Sequence, residues 1–295
     1  AGPESREAAD HHEGEPTPED VKEMASWIKE RSVEELFTLL AGAKGIQEKR
    51  ALSKEIARRL EADPSKLRMF MQMLETETHP DRLEALTRVL GFVDRPEVRQ
   101  LAQTIAENGA LSKGQRLAAL GILEKQRSPE TIPFLRRLLG QERDEELLTR
   151  TMLALPAPRG IATGEVAATA RSLENLIRSS SEAEVRARAA VALGDWNTGM
   201  ESRQTLVQAF QGDSSARVRG ASAFGLIWVS KDAATLQILA AKIQDSSEEA
   251  WVREIAWRAL GSERQLPADL ARVYQDFGRE LKLAKKTEAS SDQGW

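Results

Sequence analysis

Small or apolar residues recur three, four and seven positions after a series of arginines: Ala189, Ala190 and Leu193 follow Arg186, and Ala256, Trp257 and Leu260 follow Arg253. Those offsets line one face of an α-helix. The arginines are Arg50, Arg82, Arg116, Arg150, Arg186, Arg219 and Arg253, separated by 32, 34, 34, 36, 33 and 34 residues. A helical pattern at that period predicts stacked hairpins, each covering the apolar face of the one before. The expected fold is all-α: a right-handed α-solenoid of about seven hairpins with a capping helix at each end.

The arginine-bearing, or inner, helices are predicted over residues 47–61, 81–91, 113–125, 144–155, 182–195, 215–229 and 248–260. Outer helices alternate with them over 64–76, 95–107, 129–140, 165–179, 199–211 and 232–244. Pro64, Pro96 and Pro129 stand at outer-helix starts, where a missing amide costs little. Ser32 followed by Glu35 reads as a capping box. Thr17 and Pro18 read as the start of the first helix, with Val21, Met24, Trp27 and Ile28 on one face. Residues 1–16 hold no large hydrophobe and are expected to be disordered, as is the tail 287–295, leaving 17–286 as the solenoid. Pro156-Ala157-Pro158-Arg159-Gly160 lengthens one interval to 36. It reads as a longer edge loop, the alternative being a subdivision at 156–164. The last helix, 267–285, puts Leu270, Val273, Tyr274, Phe277 and Leu281 on one side.

Charge narrows the partners. A net charge of −4 with a pI near 5.7 argues against nucleic acid, whose phosphates call for a basic face. No run approaches a membrane span, so no direct membrane insertion is expected. Without cysteine there are no disulfides or thiol nucleophiles. The chain begins at Ala1, as after removal of a signal peptide, an upstream region or a tag. The acidic, proline-containing stretch before Pro18 resembles a spacer, which favours an extracytoplasmic location, periplasmic or secreted, over a cytoplasmic one.

Catalytic chemistry finds no foothold. His11 and His12 lie in the expected tail and His79 precedes Pro80 in a turn, so no two ordered histidines share a site and no metal is expected. Glu34-Glu35, Glu145-Glu146 and Glu248-Glu249 sit in first helical turns, where acids favour the positive end of the helix dipole. Phosphate loops and nucleophile elbows are absent. The expectation is no catalytic residue, no cofactor and no enzyme. Tryptophans gather late, at Trp196, Trp228, Trp251 and Trp257. Trp196, Trp228 and Phe92 stand nine or ten residues after their arginines, near inner-helix ends, which predicts packing between repeats. Trp251, in a first turn, is the best candidate for an exposed aromatic.

The segments from Glu184 to Gly194 and from Trp251 to Gly261 resemble the HEAT-repeat family, especially its short-period bacterial branch, which includes the bilin-lyase type. The resemblance implies a polar ladder between repeats, made by an Asp and an Arg six residues apart. Asp144 with Arg150 and Asp213 with Arg219 keep that spacing. All seven arginines are therefore assigned to structure. The family's di-iron hydroxylases need several His-Glu pairs, and this chain has only His12-Glu13, which sets that activity aside. The implied function is a non-enzymatic scaffold presenting a concave surface to a peptide or protein partner, with Trp251, Arg188, Arg217 and Arg258 as contacts. The alternatives are a bilin-lyase-like or other small-ligand protein, and a purely structural spacer.

Overall fold

The structure is a computed structural model that describes residues 26–291, with side chains through residue 284. The expected helix start at Thr17 and Pro18, the segment 1–16 and the last residues of the tail lie outside the described residues. Seven helical hairpins follow one another among the described residues: α1 (Val33–Gly42) with α2 (Ile46–Ala62), α3 (Pro64–Thr76) with α4 (Pro80–Leu90), α5 (Pro96–Glu107) with α6 (Lys113–Gln126), α7 (Ile132–Gln141) with α8 (Glu145–Ala154), α9 (Thr163–Ser179) with α10 (Ala183–Asp195), α11 (Met200–Gly212) with α12 (Ala216–Leu226), and α13 (Ala233–Gln244) with α14 (Ala250–Gly261). A closing helix, α15 (Ala268–Ser291), packs on α13 and α14. The fold is an all-helical solenoid of stacked hairpins.

Local chemistry sets the helix starts. Ser32 and Glu35 form the expected capping box, with 2.7 Å from the Ser32 amide to the Glu35 carboxylate and 3.1 Å from the Glu35 amide to the Ser32 hydroxyl. Asp63, Asp144 and Asp232 each accept amide hydrogen bonds in the first turn of α3, α8 and α13. Two ends differ from the sequence reading. The inner helix α12 stops at Leu226, and the chain turns through Ile227 and Trp228. The closing helix runs on to Ser291 rather than ending at Lys285, so part of the segment assigned to a disordered tail is helical.

Inner helices pack neighbour on neighbour from α2 through α14, including α8 on α10 across the longer link at 155–162. Leucines such as Leu60, Leu86, Leu120, Leu193 and Leu226 are fully buried along this row. Backbones come closest between α10 and α12: a Cβ added at Gly225 would lie 2.6 Å from the Ala190 carbonyl oxygen, and one at Gly194 would lie 2.9 Å from the Gly225 Cα. Only glycine permits that approach. Trp196 is buried at the end of α10 as expected, whereas Trp228 is 60 % and Phe92 41 % exposed. Trp228 and Phe92 each lie two residues past the end of their helix, in the turn after Leu226 and after Leu90, whereas Trp196 directly follows Asp195.

The arginine ladder is real in part. Arg186 makes a bidentate bond to Asp213 of the next repeat, at 2.8 and 2.9 Å, and also donates to the Ser180 and Ser181 carbonyls. Arg219 does the same with Glu248, at 2.7 Å to each oxygen, and takes the Asp213 carbonyl. Arg116 reaches Glu142 and the Ala106 carbonyl, and Arg253 reaches the Ile243 carbonyl and Glu280 of the closing helix. The six-residue pairs are not made side chain to side chain. Asp213 gives its carboxylate to the preceding repeat's arginine, and Asp144 caps α8 and pairs with Lys113. Assigning all seven arginines to the ladder needs correction. Arg82 pairs with Glu77 of its own hairpin, Arg150 turns back to Glu124, and Arg50 is exposed with no hydrogen bond or ion pair among the described residues. The positions matching Asp213 and Glu248, six and five residues before the next ladder arginine, are Ser180 and Ser181 in the repeat after Arg150, so neither offers it a carboxylate.

Candidate recognition face

Three inner helices, α10, α12 and α14, border an open hollow of about 340 Å3. Its walls obey one register. Glu184, Arg217 and Trp251 each stand two residues before a ladder arginine. Ala187 and Gly220 stand one residue after it, Arg188, Ala221 and Ile255 two after, and Val191 and Phe224 five after. Those offsets form a helix face adjoining the one that carries the core. The arginine anchors one side of each helix to its neighbours and leaves this side turned outward.

Trp251 is 45 % exposed, and its ring lies over Gly220: a Cβ there would come within 2.1 Å of the ring. Glycine thus makes room for a tryptophan to lie across the next helix, held flat rather than projecting into water. Phe224 is 39 % exposed on the same hollow. Arg217 grips Glu184 through both of the carboxylate's oxygens, bridging two repeats across the hollow's rim. Arg188 is half-buried, and its Nε is enclosed without a hydrogen-bond partner.

Of the four contact residues read from sequence, Trp251, Arg188 and Arg217 meet in this hollow and Arg258 does not. Arg258 pairs with Glu254 at 2.6 Å on the far side of α14, beside a second hollow of about 690 Å3 shared with α15. There Trp257 stacks on Tyr274, with ring centroids 4.9 Å apart and an 11° interplanar angle, and donates from its indole to the Tyr274 carbonyl at 2.9 Å. Tyr274 is therefore a packing residue of the closing helix. Phe224 and Gly220 escaped sequence reasoning, although the register of Trp251 and Arg217 relative to their arginines would have pointed to them.

Elsewhere among the described residues, Arg31 Nε, Gln126 Oε1, Thr149 Oγ1, Thr169 Oγ1 and Ser222 Oγ are also enclosed without a hydrogen-bond partner, but none of them lines the Trp251 hollow. A hollow of about 410 Å3 lies where α9 and α10 meet α7 and α8, but its Arg143 is met by the Gly140 and Glu142 carbonyls. Burial pushes the Lys231 amine below its ordinary pKa. It is enclosed, donating to the Val229 carbonyl at 3.0 Å with Glu263 at 3.4 Å, so no substrate can reach it. Glu174 is buried on α9, and burial raises its pKa against the bond it accepts from Ser202 at 2.9 Å. Among the described residues no three histidine, cysteine, aspartate or glutamate side chains gather as a metal site would need. None of the described helices is long and apolar enough to cross a membrane.

Residues 170–261, the stretch containing this hollow, match a family model described as HEAT repeats. None of the curated proteins compared with the chain matches it. Among solved structures, a human deoxyhypusine hydroxylase in complex with glycerol is similar at 18 % identity and a TM-score of 0.32, covering 86 % of this chain and 96 % of that one. That protein is an enzyme, which overturns the inference from repeat architecture to a non-enzymatic scaffold. The expectation that this chain is not an enzyme is withdrawn. A likeness this distant transfers no activity in its place.

Proposed function

We propose that the outward face of α10, α12 and α14 is a recognition surface for an extended segment of another polypeptide. HEAT repeats generally mediate protein interactions. The observation that carries the reading here is the half-exposed Trp251 seated on Gly220 beside Phe224. Large aromatics cost little conformational entropy when they bind, and in an open hollow they supply the apolar anchor that dominates many interfaces. The hollow is a shallow trough across three helices rather than an enclosed pocket, which suits an extended chain better than a compact molecule. The reading concerns recognition: an enzyme with such a face would use it to hold its substrate.

Selection of random peptides on the full chain tests this. Peptides bound at this face lose about tenfold or more in affinity on Trp251→Ala, the scale of an interface anchor. The melting temperature of the variant checks that the fold is intact. Selected peptides indifferent to both Trp251→Ala and Phe224→Ala, or no selected peptide at all, would overturn the proposal.

A further inference from the structure

Six arginines stand on the helices that border the hollow, and five of them are bonded. Arg186 holds Asp213, Arg219 holds Glu248, Arg217 holds Glu184, Arg258 holds Glu254, and Arg253 takes the Ile243 carbonyl. Arg188 makes no hydrogen bond or ion pair among the described residues, and its Nε is shut away from water. A desolvated donor without an acceptor is a standing cost that native proteins seldom carry. The natural partner would be Glu184, one turn earlier on the same helix face. Both oxygens of Glu184 are instead taken by Arg217 from the next repeat. The hollow therefore holds an unclaimed cation beside Trp251 and Phe224, on a chain that is acidic overall.

We propose that Arg188 is the anion anchor of this face, taking the carboxylate of an acidic side chain on the bound segment next to the apolar side chain that lies on Trp251 and Phe224. This deepens the recognition reading and rests on it. Charge complementarity selects the acid: a guanidinium donates two parallel hydrogen bonds to a planar carboxylate. A phosphate, with about twice the charge, would meet Glu184 on the same rim with one free arginine to offset it. A carboxylate is the anion whose single charge Arg188 alone can balance.

The test uses the same peptide selection on the full chain, followed by affinity measurements on synthetic fluorescent peptides carrying Asp, Asn or phosphoserine at the enriched position. Selected peptides should pair an apolar residue with Asp or Glu, and Asp→Asn in the peptide should weaken binding about tenfold. Arg188→Gln should abolish that preference while leaving the apolar requirement and the dependence on Trp251 in place, and Arg188→Lys should restore part of it. Peptides that bind through Trp251 without any acidic preference would sink the anchor and leave the recognition face standing. Tighter binding of phosphoserine than of Asp would also overturn it, in favour of a phosphorylated segment. Peptides insensitive to both Trp251→Ala and Arg188→Gln would remove both readings together.

Discussion

The three C-terminal repeats and the four before them share a period but not a use of it. In α10, α12 and α14 each ladder arginine is tied forward, to Asp213, Glu248 or the closing helix. The adjoining helix face is then left to outward groups such as Arg217, Phe224 and Trp251. In α8 the same register holds Leu148, Thr151, Met152 and, just past the helix end, Leu155, all buried. There Arg150 turns back to Glu124, with no acid ahead of it. Toward the N-terminus the pattern is mixed: Arg116 is tied forward to Glu142, Arg82 pairs with Glu77 of its own hairpin and lies over Phe37 of the one before, and Arg50 is unbonded among the described residues. The difference teaches that in a repeat stack the ladder and the surface are coupled. Where polar bonds and glycine contacts join neighbouring helices, the outward face is relieved of packing and is available for recognition. In α8, where they do not, apolar residues on that face complete the core.

Three perturbations sharpen or break this contrast, beginning with the largest effect. Gly225→Ala drives a methyl group into the Ala190 carbonyl, and neither backbone can give way without moving its helix. Destabilisation of about 2 kcal/mol is expected by chemical denaturation, overpacking outweighing the better helix propensity of alanine. Gly140→Ala, on α7 with open space around it, should be neutral or mildly stabilising. Equal effects would mean that the α10–α12 contact is not tighter than the rest.

Removing a rung comes next. Arg219→Ala leaves Glu248, whose side chain is 2 % exposed, with only Lys242 as a cationic partner, and should cost roughly 2 kcal/mol. Arg50→Ala should change stability by less than about 0.5 kcal/mol. The same rung has a pH signature. The hydrogen bonds from Arg219 hold the Glu248 carboxyl at about 2, against an ordinary 4.5. Because its folded-state pKa is depressed, its contribution is complete above 4.5, shrinks as pH falls below that value, and is gone once pH passes below about 2. Glu248→Gln should therefore be less stable than the parent at pH 7, with a shallower loss of stability over that acid window. Parallel titration curves would refute the assignment.

The smallest effect has the opposite sign. Burial raises the Glu174 pKa, and Ser202, Glu201, Arg178 and Arg171 are the polar groups acting on it. A raised carboxyl contributes stability below its unfolded pKa and loses it as pH rises through the folded one. Glu174→Gln, which can still accept from Ser202, should melt higher than the parent at pH 7, and the gap should close below about pH 4. A variant that melts lower at pH 7 would show that the charge itself is wanted at the α9–α11 contact.

Much of this was legible in the sequence for a stated reason. Core positions after each arginine repeat with the helical period, so inner helices such as 113–125 and 182–195 were placed within a residue of their ends, and the cap at Ser32 was read from two residues. Trp251, Arg188 and Arg217 were singled out as contacts and share one hollow. Arg258 was not separable from them, because only the position of α15 decides that it borders a different one. Phe92 and Trp228 misled because they stand two residues past their helix ends, where the helical offset no longer reports a direction in space, whereas Trp196 follows its helix directly.

The sequence by itself determined the period, the helix pairs and the face each helix buries, since these follow from spacing along one chain. Tertiary structure alone decided which carboxylate each arginine meets. Asp213 and Glu248 serve the arginine of the preceding repeat, a choice made by how far successive hairpins rotate and slide when their leucines and glycines pack. It also decided that Arg188 would be left without a partner. Glu184 lies within reach on the same helix, and the next helix brought Arg217 onto it.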